Sequence, residues 1–264
     1  MPQNIITNLQ IKNLKHTFQN EFVFLSISGA HPYGFESFNS DLDIRGVHLP
    51  KLCEILRYFN TSDTLEKSFL DTNVWPQEVD LVSHSLVKYL YLLTKKPNGY
   101  LLEQIFSPLI IYKTKLHTKL QEFAKLTITK ELHYHYNGFF KNQSKLQNSP
   151  KKEIKLCLYQ LRIICTAVFL ARTGNINANL VECNNSIQLF DRDKLQELIN
   201  LKKSGEKNNF PCQKIKKYWL DQIAEKENLI TFELLNSQLP NFEPKKIRLK
   251  VEDFLNRFIK INYQ

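Results

Sequence analysis

Two segments with strand-like patterns, joined by a short glycine-containing stretch, constrain the fold of this chain more than any other feature. The first, FVFLSIS at residues 22–28, is apolar and rich in β-branched and aromatic side chains, which is typical of a buried strand. The second, DLDIRGVHL at residues 41–49, alternates apolar side chains with the charged side chains of Asp41, Asp43 and Arg45. The sequence therefore predicts two sheet strands, the second with its carboxylates on the exposed face.

The hydrophobic period then changes along the chain. QEVDLVSH, residues 77–84, predicts a third strand, whereas the segments after it have helical spacing. Helices are predicted at 4–19, KLCEILRYF, SLVKYLYLLTKK, NGYLLEQIF, 116–126, 132–146, 151–173, 192–203 and 251–261. We therefore expect two domains, a small α/β part at residues 1–115 and a larger helical part at residues 116–264.

Charge and hydropathy narrow the classes of protein to consider. The formal net charge of +10 favours a polyanionic partner such as RNA or nucleotide phosphates, although basic residues that serve only solubility remain the alternative. The most hydrophobic segment, 156–171, is interrupted by Arg162 and is too short to span a bilayer. Because the first residues also lack a signal-peptide pattern, we expect a cytoplasmic protein with no membrane partner. The five cysteines have neither zinc-site nor disulfide-framework spacing.

The aspartates of the second predicted strand are candidate metal ligands. Residues i and i+2 of a strand project from the same face, so the carboxylates of Asp41 and Asp43 can share hard cations through oxygen ligands. Asp80, on the third predicted strand, is the natural third carboxylate. Two metals held in this way activate an attacking hydroxyl and stabilise the leaving oxygen of a phosphoryl-type displacement. The glycines upstream would let backbone N–H groups approach a triphosphate.

These acidic residues have other possible interpretations. The spacing Asp41-x-Asp43-x-x-Gly46 imitates the start of a calcium loop, but position twelve is Leu52 rather than glutamate, so the bidentate ligand is missing. A solvated strand face remains the alternative to a metal site. For the third carboxylate, Glu78 is the substitute if Asp80 points elsewhere.

The motifs together resemble a known family. The pattern Gly29-x-x-x-Tyr33-Gly34, followed by Ser40-Asp41-x-Asp43-x-x-Gly46-Val47 and the later strand with Asp80, resembles the nucleotidyltransferase core of the polymerase-β-type superfamily. KYLYLLTKKPNGYLLEQIFSP, YNGFFKNQSKL and KKEIKLCLYQLRIICTAVFLARTG extend the resemblance to the stand-alone branch, some members of which are associated with RNA repair. It covers roughly residues 20–180, and it implies an α+β fold with a small mixed sheet followed by a mainly helical domain.

The resemblance also implies roles for individual residues. Asp41, Asp43 and Asp80 would bind two Mg²⁺ ions, and Asp80 would accept the proton of the attacking hydroxyl. The nucleotide would contact Gly29, Ala30, Tyr33, Gly34 and Ser40, with packing against the loop as the alternative for Tyr33. From its position shortly after Asp80, Lys88 could reach a phosphate oxygen, and a solvated helix face is the alternative. Ala30 departs from the family pattern, which has serine there, so one hydroxyl contact to phosphate is lost.

The implied reaction is transfer of a nucleoside monophosphate from a nucleoside triphosphate to an acceptor hydroxyl, with an RNA 3′ end, particularly of tRNA, as the favoured acceptor. A protein hydroxyl, as in AMP-transferring or toxin-type relatives, is the second enzymatic alternative. A non-catalytic RNA-binding or antitoxin-like protein with the same fold is the third, and the alanine at position 30 leaves it open.

Overall fold

The computed structural model describes residues 21–37, 40–51, 63–70, 76–146, 152–204 and 209–262. The helix predicted at 4–19 lies outside these ranges, as does all of KLCEILRYF except Lys51. Among the described residues, contacts group the chain into two compact units. The sheet unit comprises 1–28, 41–127 and 242–264, and the helical unit comprises 29–40 and 128–241.

The sheet unit is built on a five-stranded mixed sheet. Its strands are β1 (Phe22–Ile27), β2 (Leu42–His48), β3 (Thr64–Leu70), β4 (Glu78–Ser85) and β5 (Ile110–Lys113). The spatial order is β3-β4-β2-β1-β5, in which β2 and β4 are parallel and the other neighbouring pairs are antiparallel. A mixed sheet in the N-terminal half and a mostly helical remainder confirm the predicted α+β class.

Period-two burial explains why β2 and β4 take their places at the centre of the sheet. Leu42 and Ile44 of β2 and Val79 and Leu81 of β4 are all 0% exposed. They form one apolar cluster with Phe22 and further residues of β1. Fully burying an aliphatic side chain of this size contributes about 1.5–3 kcal/mol, so a one-residue slip of either strand would expose the cluster. The opposite face is left to the polar residues between them.

Helices complete each unit. The sheet unit contains α2 (Leu86–Lys95), α3 (Gly99–Ile105), α4 (Lys115–Lys125) and α11 (Pro244–Asn262). The helical unit contains α1 (Ala30–Tyr33), α5 (Leu132–Leu146), α6 (Glu153–Thr173), α7 (Leu180–Ile187), α8 (Arg192–Lys203), α9 (Gln213–Lys226) and α10 (Leu229–Asn236). Local capping fixes two helix starts, because the side chains of Ser85 and Asn98 accept backbone N–H groups at the first turns of α2 and α3.

Helix α6 is the core of the helical unit. Its residues Ile154, Leu158, Leu161, Ile164 and Val168 are 0% exposed. In the part of the chain that the structure describes, α6 is a helix long and apolar enough to cross a membrane, so the expectation that this segment is too short is wrong on length; however, 78% of its apolar window is buried inside the protein. Burial of this kind is typical of the core helix of a soluble protein.

Several elements were not predicted from the sequence. Strand β3 is an edge strand with largely exposed residues, including the charged pair Glu66 and Lys67, so it lacks an alternating apolar pattern. Strand β5 has only four residues and is the other edge. Helices α1, α7, α9 and α10 were also missed. The units described above are discontinuous in the chain, whereas the division into 1–115 and 116–264 as independent domains stays a prediction.

Candidate active site

The parallel pairing of β2 and β4 brings two predicted site residues side by side. Asp43 of β2 is the register partner of Asp80 of β4. Both carboxylates lie on the face opposite the apolar cluster, and their side chains are 33% and 36% exposed. We call β2 and β4 with these two carboxylates the carboxylate strand pair. The backbone also ties the end of β1 to it, because the Ser28 N–H donates to the Asp43 carbonyl at 2.8 Å.

Arg45 lies between the two carboxylates. Its Nη2 donates to Asp43 Oδ1 and to Asp80 Oδ2, at 2.9 Å each. Its Nη1 donates to the Ile44 and Asp80 carbonyls at 2.9 and 2.7 Å, and its Nε donates to the Tyr100 hydroxyl at 2.9 Å. Because a guanidinium has five N–H donors, all of its donors are used in this arrangement.

The surroundings keep Arg45 charged. Burial alone lowers the pKa of the guanidinium, but electrostatic interactions with Tyr100, Asp43 and Asp80 and the hydrogen bond to Tyr100 raise it, and the net pKa is above its ordinary value. Two carboxylates side by side would otherwise repel each other. The positive charge of Arg45 therefore offsets the repulsion between the neighbouring carboxylates of Asp43 and Asp80.

Asp80 is held on both sides. Its Oδ1 accepts a hydrogen bond from Ser68 Oγ of β3 at 2.9 Å, in addition to the Arg45 contact through Oδ2. Ser68 is the register partner of Asp80 in the antiparallel β3–β4 ladder. The orientation of this carboxylate is thus set by residues from two neighbouring strands.

Asp41 and Lys88 are placed differently. Asp41 lies one residue before β2 and is exposed. Lys88 Nζ donates to Thr64 Oγ1, which also contacts His84 Nδ1 at 3.0 Å. Thr64 pairs with His84 rather than with Asp80, so this lysine contacts the sheet four residues, about 13 Å, further along the strand. The proposed phosphate contact of Lys88 stays a prediction.

His84 lies at the same end of β4 as Lys88. Burial lowers its pKa to about 4, with further contributions from the positive charges of Lys88, His48 and Arg45. The imidazole is therefore neutral at physiological pH in the folded protein.

The donor chemistry of the carboxylate strand pair fits a hard divalent cation. Asp43 and Asp80 supply oxygen ligands of the kind that Mg²⁺ prefers. The two carboxylates already bind one positive charge, the Arg45 guanidinium. Within the described ranges, no three or more His, Cys, Asp and Glu side chains are grouped so as to hold a metal ion. The structure thus brings Asp43 and Asp80 together and does not gather Asp41 with them, and the metal role of all three stays a prediction.

The predicted nucleotide-binding stretch, Gly29–Ser40, is part of the helical unit, and we call it the glycine loop. Gly29 and Gly34 both have positive φ angles, 69° and 87°. A Cβ on Gly34 would lie 3.0 Å from the side chain of Asn179, which is fixed because its Oδ1 caps α7. Glycine at position 34 is therefore required by the fold of the helical unit itself.

Aromatic packing holds the middle of the glycine loop. Ala30 and Tyr33 are buried, at 8% and 3% exposure. The guanidinium of Arg162, a 0% exposed residue of α6, lies 3.9 Å from the centre of the Tyr33 ring. Tyr159 makes edge-on contacts with Tyr33 and Phe35, with ring centres 5.7 and 5.5 Å apart. Tyr33 thus packs within the helical unit, and its contact with a nucleotide stays a prediction.

A second buried cation holds the end of the glycine loop. The Ser37 N–H donates to Ser40 Oγ at 2.9 Å, and the Ser40 N–H donates to the Ser37 carbonyl at 3.0 Å. Lys202, only 1% exposed on α8, donates from Nζ to Ser37 Oγ at 3.3 Å. These contacts hold Ser37 and Ser40 next to each other.

Sequence reasoning did not identify several of these side chains. The sequence pattern did indicate that Arg45 lies near the site, because the strand alternation places it on the same face as Asp43. For Arg162 the indication in the sequence was weaker, namely a single charged residue inside an apolar helix. The hydroxyl groups of Ser68 and Tyr100 and the amine of Lys202 had none, because their partners lie 12, 55 and 165 residues away in sequence.

Comparison with known proteins agrees with the motifs. An uncharacterized protein of Methanocaldococcus jannaschii is 29% identical over 218 residues, which cover 79% of this chain and 86% of that protein. The uncharacterized protein YcgL of Bacillus subtilis is 28% identical over 181 residues, which cover 67% of this chain and 65% of YcgL. The family model described as RNA repair pathway DNA polymerase beta family matches residues 1–257. The predicted polymerase-β-type resemblance is thereby confirmed, and the chain belongs to the RNA repair pathway DNA polymerase beta family.

Proposed function

We propose that the protein is a metal-dependent nucleotidyltransferase that moves a nucleoside monophosphate from a nucleoside triphosphate to an acceptor hydroxyl. The acceptor oxygen forms a bond to the α-phosphorus, the bond from that phosphorus to the bridging oxygen breaks, and pyrophosphate leaves with the electron pair. The proton of the acceptor hydroxyl goes to the Asp80 carboxylate. Family membership supports the reaction class, and the residues supply the specific roles.

The observation that carries this proposal is the side-by-side pairing of Asp43 and Asp80 in adjacent parallel strands. Two carboxylates on a solvent-facing sheet surface add nothing to the apolar core, and bringing them together costs electrostatic repulsion. The Arg45 guanidinium, which makes five hydrogen bonds, holds the two carboxylates together. This arrangement supports a catalytic role for Asp43 and Asp80 rather than a role in packing.

Asp41, Asp43 and Asp80 are the residues that would hold Mg²⁺, in the proposal two ions. When bound, Mg²⁺ supplies positive charge that stabilises developing negative charge on phosphate oxygens and lowers the pKa of a bound hydroxyl. Arg45 keeps Asp43 and Asp80 oriented, and Ser68 holds the second oxygen of Asp80.

The glycine loop is proposed to bind the triphosphate. Backbone N–H groups at Gly29 and Ala30 are suited to phosphate oxygens, since glycine at position 29 permits close approach, whereas the Gly34 N–H already donates to the His31 carbonyl at 3.3 Å. The hydroxyl of Ser40, the ring of Tyr33 and the amine of Lys88 complete the proposed nucleotide-binding set, and ATP is the first nucleotide to test.

RNA is the proposed acceptor. The net charge of +10 favours a polyanion, and the family description places its members in RNA repair. Binding to RNA is expected to weaken steeply as salt rises, because each neutralised phosphate releases counterions. A cytoplasmic location accords with an RNA substrate and with the buried setting of α6.

The proposal is tested by incubating the full chain with each α-labelled nucleoside triphosphate, Mg²⁺ and total RNA. Label in RNA that disappears with a chelator supports the proposal. Label in protein instead selects the AMP-transferring alternative and removes RNA as the acceptor. Label in neither, with RNA binding retained, selects the non-catalytic alternative.

A further inference from the structure

Arg45 occupies the position where a cation shared by Asp43 and Asp80 would bind. A single nitrogen, Nη2, contacts an oxygen of each carboxylate at 2.9 Å. The other donors are committed to the Ile44 and Asp80 carbonyls and to the Tyr100 hydroxyl, so the guanidinium is fixed in place. The Arg45 side chain is only 13% exposed, which reduces the screening of its charge by solvent.

A fixed charge at this position opposes a second cation. A divalent ion that joins Asp43 and Asp80 must share their oxygens with the guanidinium and is repelled by it. At contact distances this repulsion weakens ion binding by about tenfold or more. Mg²⁺ is commonly bound through one or two carboxylates together with substrate phosphates rather than by a cage of protein ligands alone.

We propose that Arg45 is a positioning residue that substitutes for a metal ion in the nucleotide-free protein, so that Mg²⁺ binds strongly only together with the triphosphate. The inference rests on the proposed function for the identity of the triphosphate. Before nucleotide arrives, Arg45 holds the two carboxylates together without Mg²⁺. The negative charge of the triphosphate then offsets the repulsion between the guanidinium and the incoming ions.

A purely structural role for Arg45 makes a different prediction. If the guanidinium only fastened β2 to β4, removing it would lower stability without strengthening the binding of Mg²⁺. The fixed-cation role requires that loss of the charge increases Mg²⁺ affinity, and that lysine at the same position preserves the low affinity. Arg257 of α11 offers a matched control, because it binds Asp253 with two nitrogens on an exposed surface.

The experiment is calorimetric titration of the nucleotide-free full chain with MgCl₂. Arg45→Gln is expected to bind Mg²⁺ at least about tenfold more tightly than the wild type. Arg45→Lys and Arg257→Gln should remain within about threefold of it, since one retains the charge and the other removes a solvent-screened charge. Equal or weaker binding by Arg45→Gln overturns the proposal.

Failure to fold does not hide the result. If Arg45→Gln is unfolded without metal, the proposal expects millimolar Mg²⁺ to restore the folded fraction seen by circular dichroism, and absence of recovery overturns it. The titration is also independent of catalysis. If Arg45→Gln binds Mg²⁺ with unchanged affinity while the wild type transfers nucleotide, only this inference is overturned. If Arg45→Gln binds Mg²⁺ more tightly while the wild type transfers no nucleotide, only the proposed function is overturned.

Discussion

The carboxylate strand pair and the glycine loop are neighbours in sequence, but different kinds of interaction hold their side chains. Asp43 and Asp80 are aligned by a continuous parallel ladder from Leu42 to His48, with apolar residues buried beneath them. Among its described residues, the glycine loop takes part in no strand ladder. Its contacts come from separate side chains, which include the buried cations Arg162 on Tyr33 and Lys202 on Ser37 and the Tyr159 ring on Tyr33.

This difference shows where each region is vulnerable. In the carboxylate strand pair, many backbone hydrogen bonds fix the geometry, so one polar side chain can be changed without loss of the fold. In the glycine loop, separate side-chain contacts maintain the conformation. Removing a side chain that makes such a contact should therefore destabilise the whole loop. Changes in the strands should therefore affect chemistry first, and changes in the loop should affect stability first.

The largest expected effect is on catalysis by the strand residue Asp80. Asp80→Asn keeps the shape of the side chain and its place beside Ser68, but it removes the proton acceptor. Transfer is expected to fall by about 10²–10⁴-fold, with an unchanged unfolding midpoint in urea. Glu66→Gln on the exposed face of β3 is the control and should transfer at the wild-type rate. A large loss of stability in Asp80→Asn would instead assign Asp80 a structural role.

Loss of the Tyr33 ring should produce the next largest effect, on stability. Tyr33→Leu removes the cation–π contact with buried Arg162 and the edge-on contact with Tyr159, which together contribute about 2–4 kcal/mol. Tyr134→Leu, at a tyrosine that is 72% exposed on α5, should change the free energy of unfolding by no more than about 0.5 kcal/mol. Urea denaturation measures both. Equal effects of the two substitutions would contradict the assignment of Tyr33 as an anchor of the glycine loop.

Adding a side chain at Gly46, where another strand's backbone approaches closely, should have an intermediate effect on stability. A Cβ at this position of β2 would lie 2.3 Å from the Phe24 carbonyl oxygen, so Gly46→Ala is expected to destabilise the protein by about 1–3 kcal/mol. Gly138 in α5 has nothing within 4 Å of the added carbon, and Gly138→Ala should stabilise by about 0.5–1 kcal/mol. Thermal melting of the two variants tests the opposite signs, and a shift in the same direction would show that β1 and β2 separate more easily than described.

The smallest expected effect is a dependence of stability on pH through His84. Its pKa is about 4 in the folded protein, below the ordinary value of 6.5 that the unfolded chain retains. The unfolded state therefore binds more protons below about pH 6.5, so stability is complete above that pH and falls as the pH drops toward 4. Since solvent partly screens the ring, the loss attributable to His84 is about 1 kcal/mol. Urea denaturation at pH 7 and pH 5 should give a smaller difference for His84→Gln than for the wild type, and an identical difference would exclude this origin.

Sequence patterns predicted the carboxylate strand pair well because its determinants are local. Alternation in DLDIRGVHL and EVDLV fixes which side chains share a face, and the apolar residues between them specify the register. The same alternation put Arg45 beside Asp43, but its bridging role also depends on Tyr100 and on the Asp80 carbonyl, which only the folded chain brings near. The edge strands were not predicted because β3 is largely exposed and has no alternating apolar pattern, and because β5, although partly buried, is only four residues long.

The glycine loop was predicted as a motif, but its supports were not. Its glycines were expected to serve phosphate binding. The structure adds a packing requirement at Gly34, which is the close approach of Asn179, and the phosphate contact stays a prediction. Arg162 and Lys202 are buried cations far along the chain, and no local pattern links them to Tyr33 or Ser37. Long-range contacts of single side chains carry no periodic signal that a sequence could display.

The most direct test of the central claim is transfer of label from an α-labelled nucleoside triphosphate to RNA by the wild type and by Asp43→Asn, each with and without Mg²⁺. If the carboxylate strand pair is the catalytic centre, only the wild type with Mg²⁺ should label RNA, and Asp43→Asn should remain folded and inactive. Undiminished labelling by Asp43→Asn, or no labelling by the wild type with any of the nucleoside triphosphates, would contradict the account.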